Sequence, residues 1–231
     1  MRRFYEQVEV RQDGAYHLVT LDNRPLKTPL KTILQLPNRQ LADHIAQEWM
    51  MVDIKIIPDQ MPFFSLAVTV IDRVATQRDE LSEQMQQYVM NDLICYRESV
   101  DTKLQEHQNK NWNPWLLWAK AEFNFDLELA TGVMPINQNQ MNAKLLKQIL
   151  TQMNIWVFTC FVQAATLTGS TILALAFIKK QLNSDALFSL SLLDEFYQSE
   201  KWGEDKEAYE KRNAIKKEIH DLADFLRVVE Q

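Results

Sequence analysis

The side chains that most often perform catalysis or bind metals are sparse in this 231-residue sequence. The histidines are His17, His44, His107 and His220. None of them belongs to an H-E-x-x-H motif, and the cysteines, Cys95 and Cys160, form no C-x-x-C pair, so we predict no metal site. Both cysteines lie in apolar surroundings, far apart in sequence, which indicates buried free thiols in a reducing compartment.

The glycines are too few and too scattered to build a phosphate-binding loop. They are Gly14, Gly132, Gly169 and Gly203. This spacing excludes a G-x-G-x-x-G fingerprint and a P-loop, and with them a dinucleotide or ATP site of those types. We therefore predict no cofactor.

Two further features argue against an enzyme. Ser170 follows a glycine but lacks the second glycine of a nucleophile elbow, so we interpret it as a helix cap. Asp194 and Glu195 are sequence neighbours, and on a helix neighbours project in different directions, which is poor geometry for paired acid–base work. We predict no catalytic residues.

Composition places the chain among globular proteins, with 46% hydrophobic and 24% charged residues. The net charge of −6 disfavours a nucleic-acid partner, because phosphate binding depends on clustered Lys and Arg. The first residues contain no apolar signal segment and reach an acid at Glu6. We expect a protein of the bacterial cytoplasm, or of the mitochondrial matrix if this is a mature organellar form.

The uncharged segment from Ile155 to Ile178 is long enough to span a bilayer. Polar residues interrupt it, and Thr168 to Thr171 resemble a helix end followed by a new N-cap. We therefore predict two buried helices and no membrane insertion. A membrane anchor is the alternative interpretation.

The secondary-structure elements that must position any site change from mainly strands to mainly helices near residue 60. Strand patterns occur at residues 5–10 and 16–21 around an Asp-Gly turn, and again at 54–57, while Asn38 precedes an amphipathic helix. Helical patterns dominate afterwards, with a predicted helix start at Asn113-Pro114 and a short strand at 126–129, ended near Gly132 and Pro135. We predict an α+β fold: a small β-rich N-terminal domain, residues 1–60, and a larger multihelical C-terminal domain, residues 61–231.

Two polar blocks stand out within these elements. In the first, residues 21–29, Arg24 and Lys27 stand beside two prolines that restrict the backbone. A tight structural turn and a rigid loop that presents charge both explain this block, and Asp22 is placed to pair with either cation.

The second block begins at Asp194 and is rich in acids. If it is helical, Asp194, Gln198 and Trp202 share a face, with Glu195 about 100° away. Glu204 and Asp205 suit the first turn of a following helix. A solvated helix face is one interpretation, and a protein-binding patch with an aromatic anchor is the other.

With these blocks in place, the chain resembles the Atp12 family of assembly chaperones for the F1 sector of ATP synthase. The shared residues, which follow one another along almost the whole chain, are those of 21–29, Glu48-Trp49, Met61-Pro62, Ile71-Asp72-Arg73, 92–97, Gln108, Trp112-x-Pro114, Gly169-Ser170, 193–198 and 202–205. Asn113 departs from the pattern, which has an acid there, so a charge role at this position is in doubt.

The resemblance implies an ATP-independent chaperone that binds the unassembled F1 α subunit and holds it soluble until β replaces the chaperone. The client-binding residues implied by the resemblance and by the two blocks are Glu195, Asp194, Gln198, Trp202, Glu204, Asp205, Arg24 and Lys27. Glu195 is the residue expected to matter most. The alternative function is a carboxylate-dependent enzyme with a cleft between the two domains.

Overall fold

The computed structural model describes residues 2–132, 134 and 136–230, and its α+β class confirms the prediction. The first strands, β1 (Val8–Asp13), β2 (Tyr16–Leu21) and β3 (Arg24–Pro25), form an antiparallel sheet in the order β1-β2-β3. Leu21 pairs with Arg24, so β2 and β3 are joined by the two residues Asp22 and Asn23. Both have positive φ, 47° and 66°, which is the conformation that a tight hairpin of this length requires.

Helix α1 (Arg39–Met51) covers this sheet. The Asn38 side chain accepts from the backbone N–H of Leu41 and caps the helix, as the sequence predicts. Leu41, Ile45 and Trp49 are buried at fourfold spacing. Their burial stabilises the helix, since a 13-residue helix is marginal by itself.

The predicted strand at residues 54–57 is wrong. Only a single bridge, between Lys55 and Arg2, forms there, and Ile54 is 68% exposed. The segment leads through a 3-10 turn at Pro58–Gln60 into α2 (Pro62–Val68), a π-helical stretch at Thr69–Val74 and α3 (Ala75–Met90). A neighbouring strand is absent from the described residues here, so alternation of apolar residues did not produce a sheet.

The later elements are mainly helical. They are β4 (Tyr96–Arg97), α4 (Thr102–Phe123), β5 (Ala130–Thr131), α5 (Gln140–Gln152), α6 (Ile155–Thr168), α7 (Thr171–Ile178), α8 (Ser184–Ser191), α9 (Leu193–Trp202) and α10 (Lys206–Val229). Strands β4 and β5 pair in parallel.

The predicted helix start at Asn113-Pro114 is wrong, because both residues lie inside α4. The helix begins twelve residues earlier, where the Asp101 carboxylate accepts from the N–H groups of Lys103 and Leu104. Asn113 instead accepts from the Arg97 guanidinium at 2.8 Å. An Asn before Pro is a good cap by type, but its side chain is committed to a neighbouring segment.

The predicted strand at residues 126–129 is also displaced, since β5 follows it. Side-chain amides satisfy its backbone: Asn142 bonds both the N–H and the carbonyl of Asp126, and Gln138 does the same for Glu128, all at 2.9 Å. An extended segment is therefore present without a partner strand. Gly132 follows β5, and the predicted stop at Pro135 lies outside the described residues.

The apolar segment forms two helices, α6 and α7, as predicted. Ser170 caps α7 by accepting from Leu173 at 3.1 Å, and all eight residues of α7 are buried. Across the described ranges, no helix combines the length and apolar character needed to cross a membrane.

The chain packs into two compact units. The first runs to Arg78 and includes Ile155–Thr159 and the C-terminal residues from Asp224, and the second comprises Asp79–Asn154 and Cys160–Ala223. The predicted change from strands to helices near residue 60 is visible in the element order. A domain boundary at that residue stays a prediction.

The carboxylate of Asp92 is the central polar group of the second unit. It is fully buried, and its Oδ2 accepts from the Thr171 N–H, the Thr171 hydroxyl and the Ile172 N–H at 2.7–3.1 Å. Its Oδ1 accepts from the Ile94 N–H. Burial raises the pKa of Asp92, and these donors act in the opposite direction. One side chain thus joins the turn at Leu93–Cys95 to the start of α7.

We expect Asp92→Ala to lower the free energy of unfolding by roughly 3 kcal/mol or more, because it leaves several buried donors without an acceptor. Asp92→Asn keeps one oxygen as an acceptor, so its free energy of unfolding should lie between those of the wild type and of Asp92→Ala. Urea unfolding followed by circular dichroism measures both. A loss below about 1 kcal/mol for the alanine variant would contradict the assigned role.

Candidate functional site

Helix α9 carries four of the eight predicted binding residues, and contacts with α4 fix its orientation. Gln108 of α4 is 3% exposed, and its amide nitrogen donates to both oxygens of Asp194 at 2.9 and 3.0 Å. Its amide oxygen accepts from the Glu98 N–H at 2.7 Å. Both ends of this buried amide are therefore used, which fixes the side-chain orientation and with it the first turn of α9.

A second attachment lies on the same side of α9, almost two turns later. The Asp101 carboxylate, which caps α4, accepts from the Tyr197 hydroxyl at 3.2 Å and from the Lys201 ammonium at 2.8 Å. The hydrogen bond from Lys201 is the main reason that the pKa of Asp101 falls to about 2. Asp194, Tyr197 and Lys201 together turn one face of α9 toward α4.

A neighbouring side of α9, about 100° around the helix from that face, carries Glu195, Gln198 and Trp202, which we call the α9 surface. Trp202 is 71% exposed, Gln198 is exposed and Glu195 is half-buried. Within the described part of the chain, no hydrogen bond or ion pair engages the side chains of Glu195 or Gln198. Glu195 and Trp202 are seven residues apart, which places them on nearly the same side, two turns or about 10 Å apart.

Asp194 therefore differs from the other members of its predicted group. Burial raises its pKa, the hydrogen bond from Gln108 opposes that effect, and the charge of Glu98 raises the pKa further. Its role in this geometry is to attach α9 to α4. The adjacent carboxylates of Asp194 and Glu195 point to different surroundings, as the sequence predicts.

Glu204 and Asp205 both have partners inside the protein. Glu204 forms an ion pair with Arg212, whose side chain is 4% exposed and whose guanidinium lies 5.6 Å from the Phe196 ring centroid. Asp205 accepts from the Ala208 N–H at the beginning of α10. These acids hold the turn after α9, and a role in binding stays a prediction.

Arg24 and Lys27 belong to the first unit, where both are exposed. Asp22 does not form the predicted pair with them: its Oδ1 accepts from the N–H groups of Glu6 and Gln7 at 3.0 and 2.8 Å. These two bonds lower the pKa of Asp22. Among the described residues, neither Arg24 nor Lys27 forms an ion pair.

The resemblance includes Gln108 and Arg97 among its shared residues without assigning a role to either, and sequence reasoning did not single out Asp101. Gln108 and Asp101 hold α9 from α4, and Arg97 is fixed between Asn109 and Asn113 at 2.9 and 2.8 Å. A buried glutamine at a position with a helical pattern gives no signal that separates it from a surface residue. In the described ranges, no group of three or more His, Cys, Asp or Glu side chains is arranged to hold a metal ion.

Comparison with known proteins identifies the family. A family model described as ATP12 chaperone protein matches residues 2–120. The chain belongs to the ATP12 chaperone family. The match extends beyond these residues in the ATP12 relatives, since the mitochondrial protein atp12 of Schizosaccharomyces pombe is 27% identical over 244 residues, covering 99% of this chain and 83% of its own length.

Solved structures of ATP12 relatives have the same fold. The crystal structure of Atp12 from Paracoccus denitrificans matches with a TM-score of 0.93 at 32% identity, covering 99% of this chain and 98% of that one. An aspartate-to-lysine mutant of the Paracoccus protein also gives 0.93 at 32% identity, covering 99% and 97%. A candidate chaperone from Agrobacterium tumefaciens gives 0.91 at 31% identity, with 98% and 85% covered.

We expect Asp194→Asn to be at least as stable as the wild type at pH 7. The pKa of Asp194 is raised above its ordinary 3.8 in the folded state, so the stability it contributes is complete below pH 3.8 and is lost as the pH rises through the folded-state pKa. Asparagine keeps an oxygen for Gln108 without that loss. Urea unfolding at pH 7 and pH 4 should show the difference between variant and wild type shrinking at pH 4.

Glu195→Gln removes one charge from the outward side of the same helix and controls for net charge. If Asp194→Asn is less stable than the wild type by more than about 1 kcal/mol at pH 7, the ionised carboxylate is a net stabilising partner of Gln108 and the assignment is wrong.

Proposed function

We propose that this protein is an ATP-independent assembly chaperone that binds the unassembled F1 α subunit of ATP synthase and keeps it soluble until it pairs with β. Membership of the ATP12 chaperone family supports assembly of the F1 sector as its task. The α subunit as client is our proposal. The sequence supports independence from ATP, because its four glycines cannot form a P-loop.

The observation that carries the proposal is the α9 surface. An exposed tryptophan beside a carboxylate without an internal partner is the composition of a binding hot spot, where the aromatic ring supplies buried area and the charge supplies selectivity. The helix that presents these groups is fixed to α4 through Gln108 and Asp101. A client therefore meets a surface that is already ordered, which lowers the entropic cost of binding.

The chaperone acts by binding rather than by catalysis. Unassembled subunits expose apolar surface that is covered only in the finished complex, and such surface promotes aggregation. A protein that binds the folded subunit shifts the equilibrium away from the aggregating species by mass action. The proposed compartment is the bacterial cytoplasm, or the mitochondrial matrix for a mature organellar form.

Co-expression of the F1 α subunit without β tests the client and the site together. We expect the wild type to keep α soluble and Glu195→Lys to reduce soluble α about tenfold, equivalent to about 1.4 kcal/mol of binding free energy. The reason is that the reversed charge repels whatever basic group the client places there. Stability of the purified variant should change by less than about 0.5 kcal/mol.

Glu200→Lys is the matched control. Glu200 is exposed on the same helix, 140° around from Glu195 at 100° per residue, so it changes the net charge equally on a different side. If both reversals reduce soluble α alike, the effect reports net charge and the α9 surface is not the site. If the wild type does not keep α soluble, the proposed client is wrong.

Trp202→Ala should weaken the association by tenfold or more while leaving thermal stability unchanged, because the ring is 71% exposed in the free protein. Trp202→Phe retains part of the aromatic area and should give an intermediate loss. Copurification of α with tagged variants, quantified against the wild type, measures both. Equal recovery of α with the alanine variant would remove Trp202 from the site.

A further inference from the structure

A second surface lies in the first unit, around the turn that follows β3. It is a groove of about 1010 Å³. Its apolar wall contains Phe4, Pro25, Pro29, Trp49, Ile56 and Phe64. Phe4 is 58% exposed, although it packs edge-to-face against Tyr5 at 5.4 Å. A groove of this volume with aromatic and proline walls has the size and lining of a ligand-binding site.

Two cations line the same groove. Arg24 and Lys27 are exposed, and in the described part of the chain neither has an ion-pair partner. Asp22 also lines the groove, but its Oδ1 is occupied by the N–H groups of Glu6 and Gln7. Asp22 remains ionised, and its charge also acts on Arg24. Because two cations line the groove with this one carboxylate, the groove is net positive on a chain whose net charge is −6.

The backbone that carries these cations is held in position. Leu26 donates to Val19 at 2.8 Å and accepts from Leu34 at 3.0 Å, and the Leu30 N–H donates to Asp72 at 3.2 Å. Pro25 and Pro29 restrict φ on either side of Lys27. The cations are therefore presented from a rigid loop.

Trp49 forms a rigid part of the groove wall. It is 4% exposed, and its indole Nε1 is buried with no acceptor among the described residues. A buried donor without a partner is costly and uncommon. The ring borders the groove together with Phe64, which it meets edge-to-face at 5.1 Å.

We propose that this groove binds an extended peptide segment of the client that carries carboxylates next to apolar side chains. The apolar side chains pack on the aromatic and proline wall, and the carboxylates pair with Arg24 and Lys27. The choice of a peptide rests on the proposed function, because an unassembled subunit exposes such segments. The preference for carboxylates on that peptide rests on Arg24 and Lys27 in the groove.

Fluorescein-labelled decapeptides test the proposal by anisotropy on the full-length protein. One contains two leucines and a phenylalanine flanked by glutamates, and two otherwise identical peptides carry lysines or glutamines in place of the glutamates. We expect the acidic peptide to bind at least tenfold more tightly than the lysine peptide, with the glutamine peptide between them. The double variant Arg24→Glu/Lys27→Glu should reverse this order.

Lys31→Glu/Arg73→Glu is the matched control, since both residues are exposed cations of the same unit that do not line the groove. It changes the net charge equally and should preserve the order of the three peptides. Phe4→Ser should weaken all three, and its exposure makes a folding defect unexpected. Thermal unfolding confirms that each variant is folded.

Equal binding of the three peptides, or equal effects of the two double variants, would overturn the proposal. So would binding of phosphatidylglycerol vesicles in place of the acidic peptide, which would assign the cations to a lipid surface. The test is separate from that of the client. If the peptides bind but the α subunit is not kept soluble, the groove proposal stands and the proposed client is wrong. If the α subunit is kept soluble but the peptides do not bind, the proposed client stands and the groove proposal is wrong.

Discussion

The arrangement of the second unit depends on one requirement, that the backbone N–H groups at the beginning of the buried helix α7 have an acceptor. No water reaches this helix end, because Thr171, Ile172 and their neighbours are fully buried. The Asp92 carboxylate meets the requirement and at the same time fixes the turn at Leu93–Cys95. From that turn the chain continues to Arg97, which α4 holds through Asn109 and Asn113. The position of α4 then decides where α9 lies.

Helix α9 divides its residues between attachment and presentation, and this division explains why one acidic block holds acids of different character. The Asp194 carboxylate accepts both hydrogen bonds from a buried glutamine amide, whereas the carboxylate of Glu195, one residue later, has no partner among the residues that the structure describes. A short helix with ten residues cannot fix its own orientation. The contacts with α4 therefore decide which way the helix faces: without Gln108 and Asp101, the side of α9 that carries Glu195 and Trp202 would not be held in one orientation.

Much of the fold could be predicted from the sequence because local rules agreed with the tertiary structure. Asn38 and Ser170 are residue types that favour helix N-caps, and both cap a helix in the structure. The fourfold spacing of Leu41, Ile45 and Trp49 marks the buried side of α1. The wrong secondary-structure predictions arise where a side chain forms its hydrogen bonds with a segment distant in sequence. Asn113 looks like a cap but binds Arg97, and Asn142 replaces a partner strand at Asp126. For the candidate site, residue types indicated the acidic block. Only the packing of α9 on α4 shows that Asp194 attaches the helix while Glu195 belongs to the α9 surface.

Area limits what the α9 surface can do alone. Three side chains spread over about 10 Å bury far less than the roughly 800 Å² per partner of a standard interface, so a stable complex needs contacts elsewhere. The groove around Arg24 and Lys27 offers a surface of opposite charge on the first unit. If both proposed surfaces bind the client, a client that satisfies an acidic group and a basic groove is distinguished from unrelated chains that expose only apolar residues. Two separate contacts of this kind can be displaced one after the other, which is a route to release that needs no ATP.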